Sequence, residues 1–164
     1  MNPRILVVED EPFSAARLNQ QLVELGYDPV ATSASGEEAE SIAEELRFDL
    51  ALVDLRLAGE MDGISLAVKL RERFSLPSVL ITGAPDKKLI ERAIEAQPYG
   101  YLNKPYTEEV LRLTLKMAFQ RLHTETTLLE REEQLKSVLR TSMDSFWVAG
   151  LDGRIIDLQS VVKG

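Results

Sequence analysis

Five short apolar runs, each closed by a polar residue, alternate with amphipathic stretches over the first 106 residues. Ile5-Leu6-Val7-Val8 ends at Glu9-Asp10-Glu11-Pro12, where Pro12 suits the first turn of a helix. Phe13, Ala16, Leu18, Leu22 and Leu25 share one broad helical face, and Gly26 is a natural stop. Pro29–Thr32 reads as a second strand. Ser35 is placed to cap a helix over Gly36–Arg47, with Glu38 at capping-box spacing. Asp49–Val53 runs to Asp54, and a polar loop, Ala58–Gly63, leads into a helix through Leu66, Leu70 and Phe74. Pro77–Ile81 ends at Thr82, and Ala84-Pro85-Asp86 starts a helix that stops near Ala96. Tyr99–Asn103 ends at Lys104-Pro105. Every return between strands is helical, so the expectation is an α/β fold built on a parallel sheet.

Composition narrows the chemistry. The chain lacks cysteine, which excludes disulfides, cysteine nucleophiles and thiolate metal sites. The single histidine, His123, excludes a multi-histidine zinc site. The net charge of −8 argues against nucleic acid as a direct partner, because phosphate contacts need Lys and Arg. The acidic excess sits in residues 1–106, with 18 acidic against 11 basic side chains, whereas residues 107–143 are balanced. Such asymmetry is itself a boundary signal. The N-terminus has no signal-peptide architecture, and no apolar stretch approaches a membrane span. A cytoplasmic protein is expected.

From Thr107 the period changes. One helix is expected over Thr107–Ser142, about 54 Å at 1.5 Å per residue. Leu111, Leu115, Ala118 and Leu122 form a first seam; Leu128, Leu135, Leu139 and Met143 form a second. The two fall out of phase around His123–Thr127, which resembles a coiled coil with a phase shift. Self-association through this helix is expected, against the alternative of a helix lying on its own domain. Asp152-Gly153 between two β-rich runs is a hairpin signal.

The polar residues that close the strands carry the chemistry. Glu9, Asp10, Asp54, Thr82 and Lys104 all stand at or just past the carboxyl end of a strand, where sites of open α/β sheets form. Crowded carboxylates favour a hard cation among them, and magnesium takes few carboxylates, several waters and a phosphate oxygen. A carboxylate can itself be the nucleophile, giving an aspartyl phosphate. Taken singly, each residue has a plainer reading: Glu9, Asp10 and Glu11 as a solvated helix-start cluster, Asp54 as a turn residue, Thr82 as a cap, and Lys104 as a surface charge.

Ile5–Asp10, Val53-Asp54, Asp62-Gly63, Ile81-Thr82-Gly83 and Lys104-Pro105-Tyr106, in this order and spacing, resemble the receiver domain of two-component response regulators. The resemblance covers residues 1 to about 122. It implies a doubly wound, flavodoxin-like sheet of strand order 2-1-3-4-5, with a linker helix over 123–143. Asp54 would be the phosphoacceptor. Glu9, Asp10, Asp54 and the backbone carbonyl of Arg56 would hold Mg²⁺. Thr82 and Lys104 would bind the phosphoryl oxygens, Tyr101 would turn inward as a switch with Thr82, and Lys104-Pro105 would be cis. The loop after Asp54 is one residue longer than the commonest form and resembles its Asp-Leu-x-Leu variant. Gly83 stands where Ala is usual, and Glu9 where Asp is common.

The implied partner is a sensor histidine kinase or a histidine phosphotransfer protein, with a homodimer through the C-terminal helix. The implied role is a signalling phosphoacceptor that assists its own phosphotransfer and dephosphorylation, rather than an enzyme acting on a substrate. Residues 144–164 resemble the opening of a PAS-type sensor domain, as expected of a piece of a longer receiver–PAS protein. Two other readings stand beside this one: an unphosphorylated dimerisation scaffold, and a flavodoxin-like ligand-binding module. The second would need a phosphate-cradling loop where the chain has Glu9-Asp10-Glu11-Pro12.

Overall fold

The computed structural model describes residues 1–83, 87–145, 147–149 and 155–157. The chain divides into two compact units, Met1–Leu122 and His123–Gly164. In the first, β1 (Arg4–Val8), β2 (Asp28–Ser33), β3 (Leu50–Asp54), β4 (Ser78–Thr82) and β5 (Gly100–Asn103) form one parallel sheet in the order β2-β1-β3-β4-β5. The returns are α1 (Pro12–Glu24), α2 (Gly36–Glu45), α3 (Gly63–Phe74) and α4 (Lys87–Glu95), and α5 (Glu108–Ser145) follows β5. The residues expected to begin the fourth helix, Ala84-Pro85-Asp86, lie outside the described residues.

The strand sequences explain the layers. Ile5–Val8, Leu50–Val53 and Val79–Ile81 are fully buried, as both faces of a parallel sheet require. Successive side chains point to opposite faces. Leu6, Val8, Ala51, Val53 and Leu80 therefore pack with Ala39 and Ala43 of α2, Leu66 and Leu70 of α3, and Ala93 of α4. Ile5, Val7, Leu50, Leu52, Val79 and Ile81 pack with Leu18 and Leu22 of α1 and with Leu111, Leu115 and Ala118 of α5. The stacked rings of Tyr27 and Phe119, 5.4 Å apart, add to this second layer.

Helix starts follow local chemistry. Glu11 caps α1 by accepting from the amides of Phe13 and Ser14, with Pro12 in the first turn. Ser35 caps α2 and accepts from Glu38 N at 3.2 Å. The reciprocal half of the expected capping box does not form. The Glu38 carboxylate instead accepts from the Ser33 hydroxyl at 2.8 Å, and Ser35 N donates to the same hydroxyl. Ser33, buried at the end of β2, outcompetes the cap. Thr107 stands just before α5 and accepts from Val110 N.

The chain leaves β1 for β2, then crosses back to β3, so the order reverses between β1 and β3. The crevice outside their carboxyl ends is where this topology places a site.

In the second unit, α5 runs to Ser145, and β6 (Trp147–Ala149) pairs antiparallel with β7 (Ile155–Asp157), with Trp147 opposite Asp157. This is the pairing expected of the Asp152-Gly153 signal; the turn itself lies outside the described residues, as does Phe146. Leu128, Leu135 and Leu139 of α5 are exposed. Among the described residues no helix is long and apolar enough to cross a membrane.

Candidate functional site

Glu9 follows β1 directly, Asp54 closes β3, Thr82 closes β4 and Lys104 follows β5. Parallel pairing brings these ends to one edge: Asp54 pairs with Ile81, and Thr82 with Asn103. Lys104 is fixed there by its own amide, which donates to the Thr82 carbonyl at 2.7 Å. Glu9 is likewise held by a bond from its amide to the Ser33 carbonyl at 2.9 Å.

The side chains converge on one nitrogen. Lys104 Nζ donates to Glu9 Oε2 and to Asp54 Oδ2, each at 2.5 Å. Glu9 is 3% exposed and Asp54 5%, so both carboxylates are nearly out of water. The other oxygens also have donors: Glu9 Oε1 accepts from Glu11 N at 3.2 Å, and Asp54 Oδ1 from Arg56 N at 2.8 Å. Burial pushes the Glu9 carboxyl above the usual range, and the nearby Asp54 charge adds to this against the Lys104 bond. Burial opposes the Lys104 charge, but its bonds to Asp54 and Glu9 outweigh this and hold it above the usual lysine range. Buried anions are stable only when paired in this way.

Asp10 lies next to this pair and is exposed. Among the described residues no group of three or more His, Asp or Glu side chains is drawn together as a metal cluster. The Lys104 ammonium links Glu9 and Asp54 instead. The donors are nonetheless all oxygen, and Glu9 retains a raised carboxyl even with Lys104 bound. Magnesium needs only one or two carboxylates beside water and phosphoryl oxygens, so the residues fit that ion better than one demanding a full protein cage.

The remaining expected residues fall around the pair. Thr82 is 7% exposed. Among the described residues, nothing lies within 4 Å of where a Cβ on Gly83 would stand. Tyr101 lies outward at 45% exposed, beside a cavity of about 260 Å³ that it lines with Leu55, Thr82, Leu89, Ala93, Ile94 and Asn103. The Lys104-Pro105 bond is cis.

Two acids to which the sequence assigned no site role, Asp62 of the Asp62-Gly63 motif and Glu37, hold the loop after Asp54. Asp62 caps α3, accepting from Ser65 N at 2.8 Å, and takes Arg92 of α4 on its other oxygen at 2.7 Å. Glu37 of α2 accepts from the amides of Glu60 and Met61. The Asp62-Gly63 pair before an apolar run was a readable cap signal for the first. Glu37 gave no signal beyond an acid in a first turn.

The family model for the response regulator receiver domain matches residues 5–116. The chain is 39% identical over 116 residues to the positive alginate biosynthesis regulatory protein of Pseudomonas aeruginosa, covering 70% of this chain and 46% of that one. Among solved structures it is similar to the signal receiver domain of a modulated diguanylate cyclase from Desulfovibrio desulfuricans G20. The TM-score is 0.72 and the identity 39%, over 76% of this chain and 99% of that one. It is also similar to the N-terminal domain of a response regulator/sensory box/GGDEF three-domain protein from Carboxydothermus hydrogenoformans. There the TM-score is 0.68 and the identity 31%, over 75% and 98% of the two chains. The chain spans about half the length of the curated relatives it matches, 46% of one and 62% of another.

Proposed function

The chain belongs to the response regulator receiver domain family, and on that premise we propose that Asp54 accepts a phosphoryl group from the phosphohistidine of a sensor kinase or phosphotransfer protein. Receiver domains of this family generally use Mg²⁺ for phosphorylation. The observation that carries the reading is the Lys104 ammonium bound to both Glu9 and Asp54 at the sheet edge.

In this reading an Asp54 oxygen attacks phosphorus in line. The new O–P bond forms as the N–P bond breaks, and the electron pair leaves on the imidazole nitrogen. Arg56 N holds the second Asp54 oxygen and so fixes which face of the carboxylate is presented. Lys104 and Thr82 pair with the phosphoryl oxygens of the product. Asp10, Glu9, Asp54 and the Arg56 carbonyl are the residues that would hold Mg²⁺, which when bound neutralises charge on the transferred group. Tyr101 moves into the cavity beside Thr82 as the switch. The exposed Leu128, Leu135 and Leu139 of α5 pair with a second copy, and α5 carries the change onward. The β6–β7 pair supports reading residues 144–164 as the opening of a PAS-type sensor module, in keeping with the sensory box named in the Carboxydothermus relative.

The test is incubation with acetyl phosphate and Mg²⁺, followed by intact mass and sizing. One phosphoryl group is expected, lost in Asp54→Asn. No uptake by the unaltered protein would overturn the reading and favour an unphosphorylated scaffold.

A further inference from the structure

The loop from Leu55 to Asp62 joins β3 to α3, and both its ends are pinned at the site. Leu55 N donates to the Ile81 carbonyl at 2.9 Å, and Gly63 N to the Leu55 carbonyl at 3.2 Å. Between these ends lies Arg56, whose amide is the donor to Asp54 Oδ1. The middle of the loop is held from another element altogether. Ala58 N donates to the Ala34 carbonyl at 3.2 Å, and Ala58 bridges to Ser35. Glu37 Oε1 accepts from Glu60 N at 3.2 Å and from Met61 N at 2.9 Å.

This contact is shaped for close approach. Gly59 has φ of +93°, and a Cβ there would stand 2.7 Å from Glu37 Oε2. A Cβ on Gly36 would stand 2.9 Å from the Met61 sulfur. The two segments therefore approach closely, and Gly59 sits in the left-handed region that favours glycine. An acid in the first turn of α2 would favour the helix dipole wherever it pointed. The Glu37 carboxylate does more, because one oxygen gathers two amides from a segment more than twenty positions away. Its own amide, and then those of Met61 and Glu60, hold its carboxyl below the usual range against partial desolvation.

We propose that Glu37 is a positioning residue for the phosphoacceptor site. Its carboxylate sets the loop after Asp54, and through it the Arg56 backbone, whose amide binds Asp54 and whose carbonyl is a Mg²⁺ ligand in the reading above. The inference rests on that reading, and it goes further by giving the second helix a part in the chemistry of the third strand.

The test compares Glu37→Ala and Glu37→Gln in the full chain, with Asp54→Asn as the phosphorylation control. Glutamine keeps an oxygen that can accept both amides; alanine does not. In Glu37→Ala, hydrogen exchange of the Glu60 and Met61 amides should quicken by about tenfold. Phosphoryl uptake from acetyl phosphate at saturating Mg²⁺ should slow at least about threefold. Mg²⁺ affinity by calorimetry should fall, while the thermal midpoint moves by less than about 3 °C. Glu37→Gln should restore uptake and exchange toward the parent. The proposal is overturned if Glu37→Ala leaves either exchange or uptake within about twofold of the parent, or if Glu37→Gln is as impaired as Glu37→Ala. Absence of uptake in the unaltered protein would refute the Asp54 reading separately. Exchange at Glu60 and Met61 and the Mg²⁺ titration would then still decide the clamp.

Discussion

Lys104 Nζ lies 2.5 Å from Asp54 Oδ2, although β4 separates the strands that carry them. Two strand spacings, about 10 Å between backbones, are covered because Lys104 stands one residue past β5 and leans along the sheet edge. The same nitrogen binds Glu9, beyond Asp54 on the far side of β3. One cation thus links the ends of three strands and is shared by two buried anions.

Lys104→Met leaves Glu9 and Asp54 facing each other without a counter-charge. Removing one partner of a fully buried pair costs about 3–5 kcal/mol; here about 1–2 kcal/mol is expected, since the Lys104 side chain is 27% exposed. The loss should be largest without metal. Saturating Mg²⁺ should stabilise the variant more than the parent, because tighter binding adds more through linkage. Urea unfolding with and without Mg²⁺ measures both; equal gains from Mg²⁺ would count against a shared site.

Asp62 offers a test by pH. Burial pushes its carboxyl up, but the Ser65 amide and the Arg92 guanidinium outweigh this and hold it below its ordinary value of 3.8. A lowered folded value means the carboxylate stabilises the fold fully above 3.8, and that contribution fades as pH falls through the folded value. The parent should therefore lose more stability than Asp62→Asn on acidification from neutral pH. Asp62→Ala also loses the cap and should cost about 1 kcal/mol at neutral pH. Asn, whose Oδ1 still accepts from Ser65, should cost less. Parallel stability–pH curves for parent and Asp62→Asn would contradict the assignment.

Two glycines near the site, Gly63 at the start of α3 and Gly83 just past β4, should respond differently to alanine. A Cβ on Gly63 would meet the Asp54 carbonyl oxygen at 2.0 Å and the Leu55 Cα at 2.9 Å, all backbone that cannot yield cheaply. Gly63→Ala should cost about 3 kcal/mol and disturb Asp54 itself. Among the described residues, nothing lies within 4 Å of the same atom on Gly83. Gly83→Ala should leave stability within about 0.5 kcal/mol. Denaturant midpoints of the pair decide it, and similar costs at both sites would sink the argument.

How much of this was legible in the sequence depends on the kind of interaction. Ile5–Val8, Leu50–Val53 and Val79–Ile81 announce buried parallel strands because a fully apolar run has no other stable place. The polar residues after them announce a shared edge because parallel pairing aligns strand ends. Hydrogen bonds between distant side chains are not periodic. Nothing in the sequence tells that Lys104 takes both Glu9 and Asp54, that Ser33 diverts Glu38 from Ser35, or that Glu37 reaches Met61. Each is decided by competition among several donors within 3 Å or so, after the backbone is in place.

The exposed leucines of α5 give a test of self-association. Leu128, Leu135 and Leu139 have little reason to line an exposed stripe unless something covers it. Replacing all three by Gln should shift the protein toward monomer in sedimentation, with phosphoryl uptake at Asp54 retained. An unchanged distribution would remove these residues from any dimer.

The reactive groups ride on the rim of the sheet, at the last position of a buried strand or just past it, and are tied to one another through backbone bonds such as Lys104 N to the Thr82 carbonyl. Among the described residues, the outward faces of the helices contribute none of them. Recognition and chemistry are therefore separable in this architecture. Exposed positions such as Phe13 on α1 or Met117 on α5 lie outside the reacting constellation, so substitutions there leave it as it is.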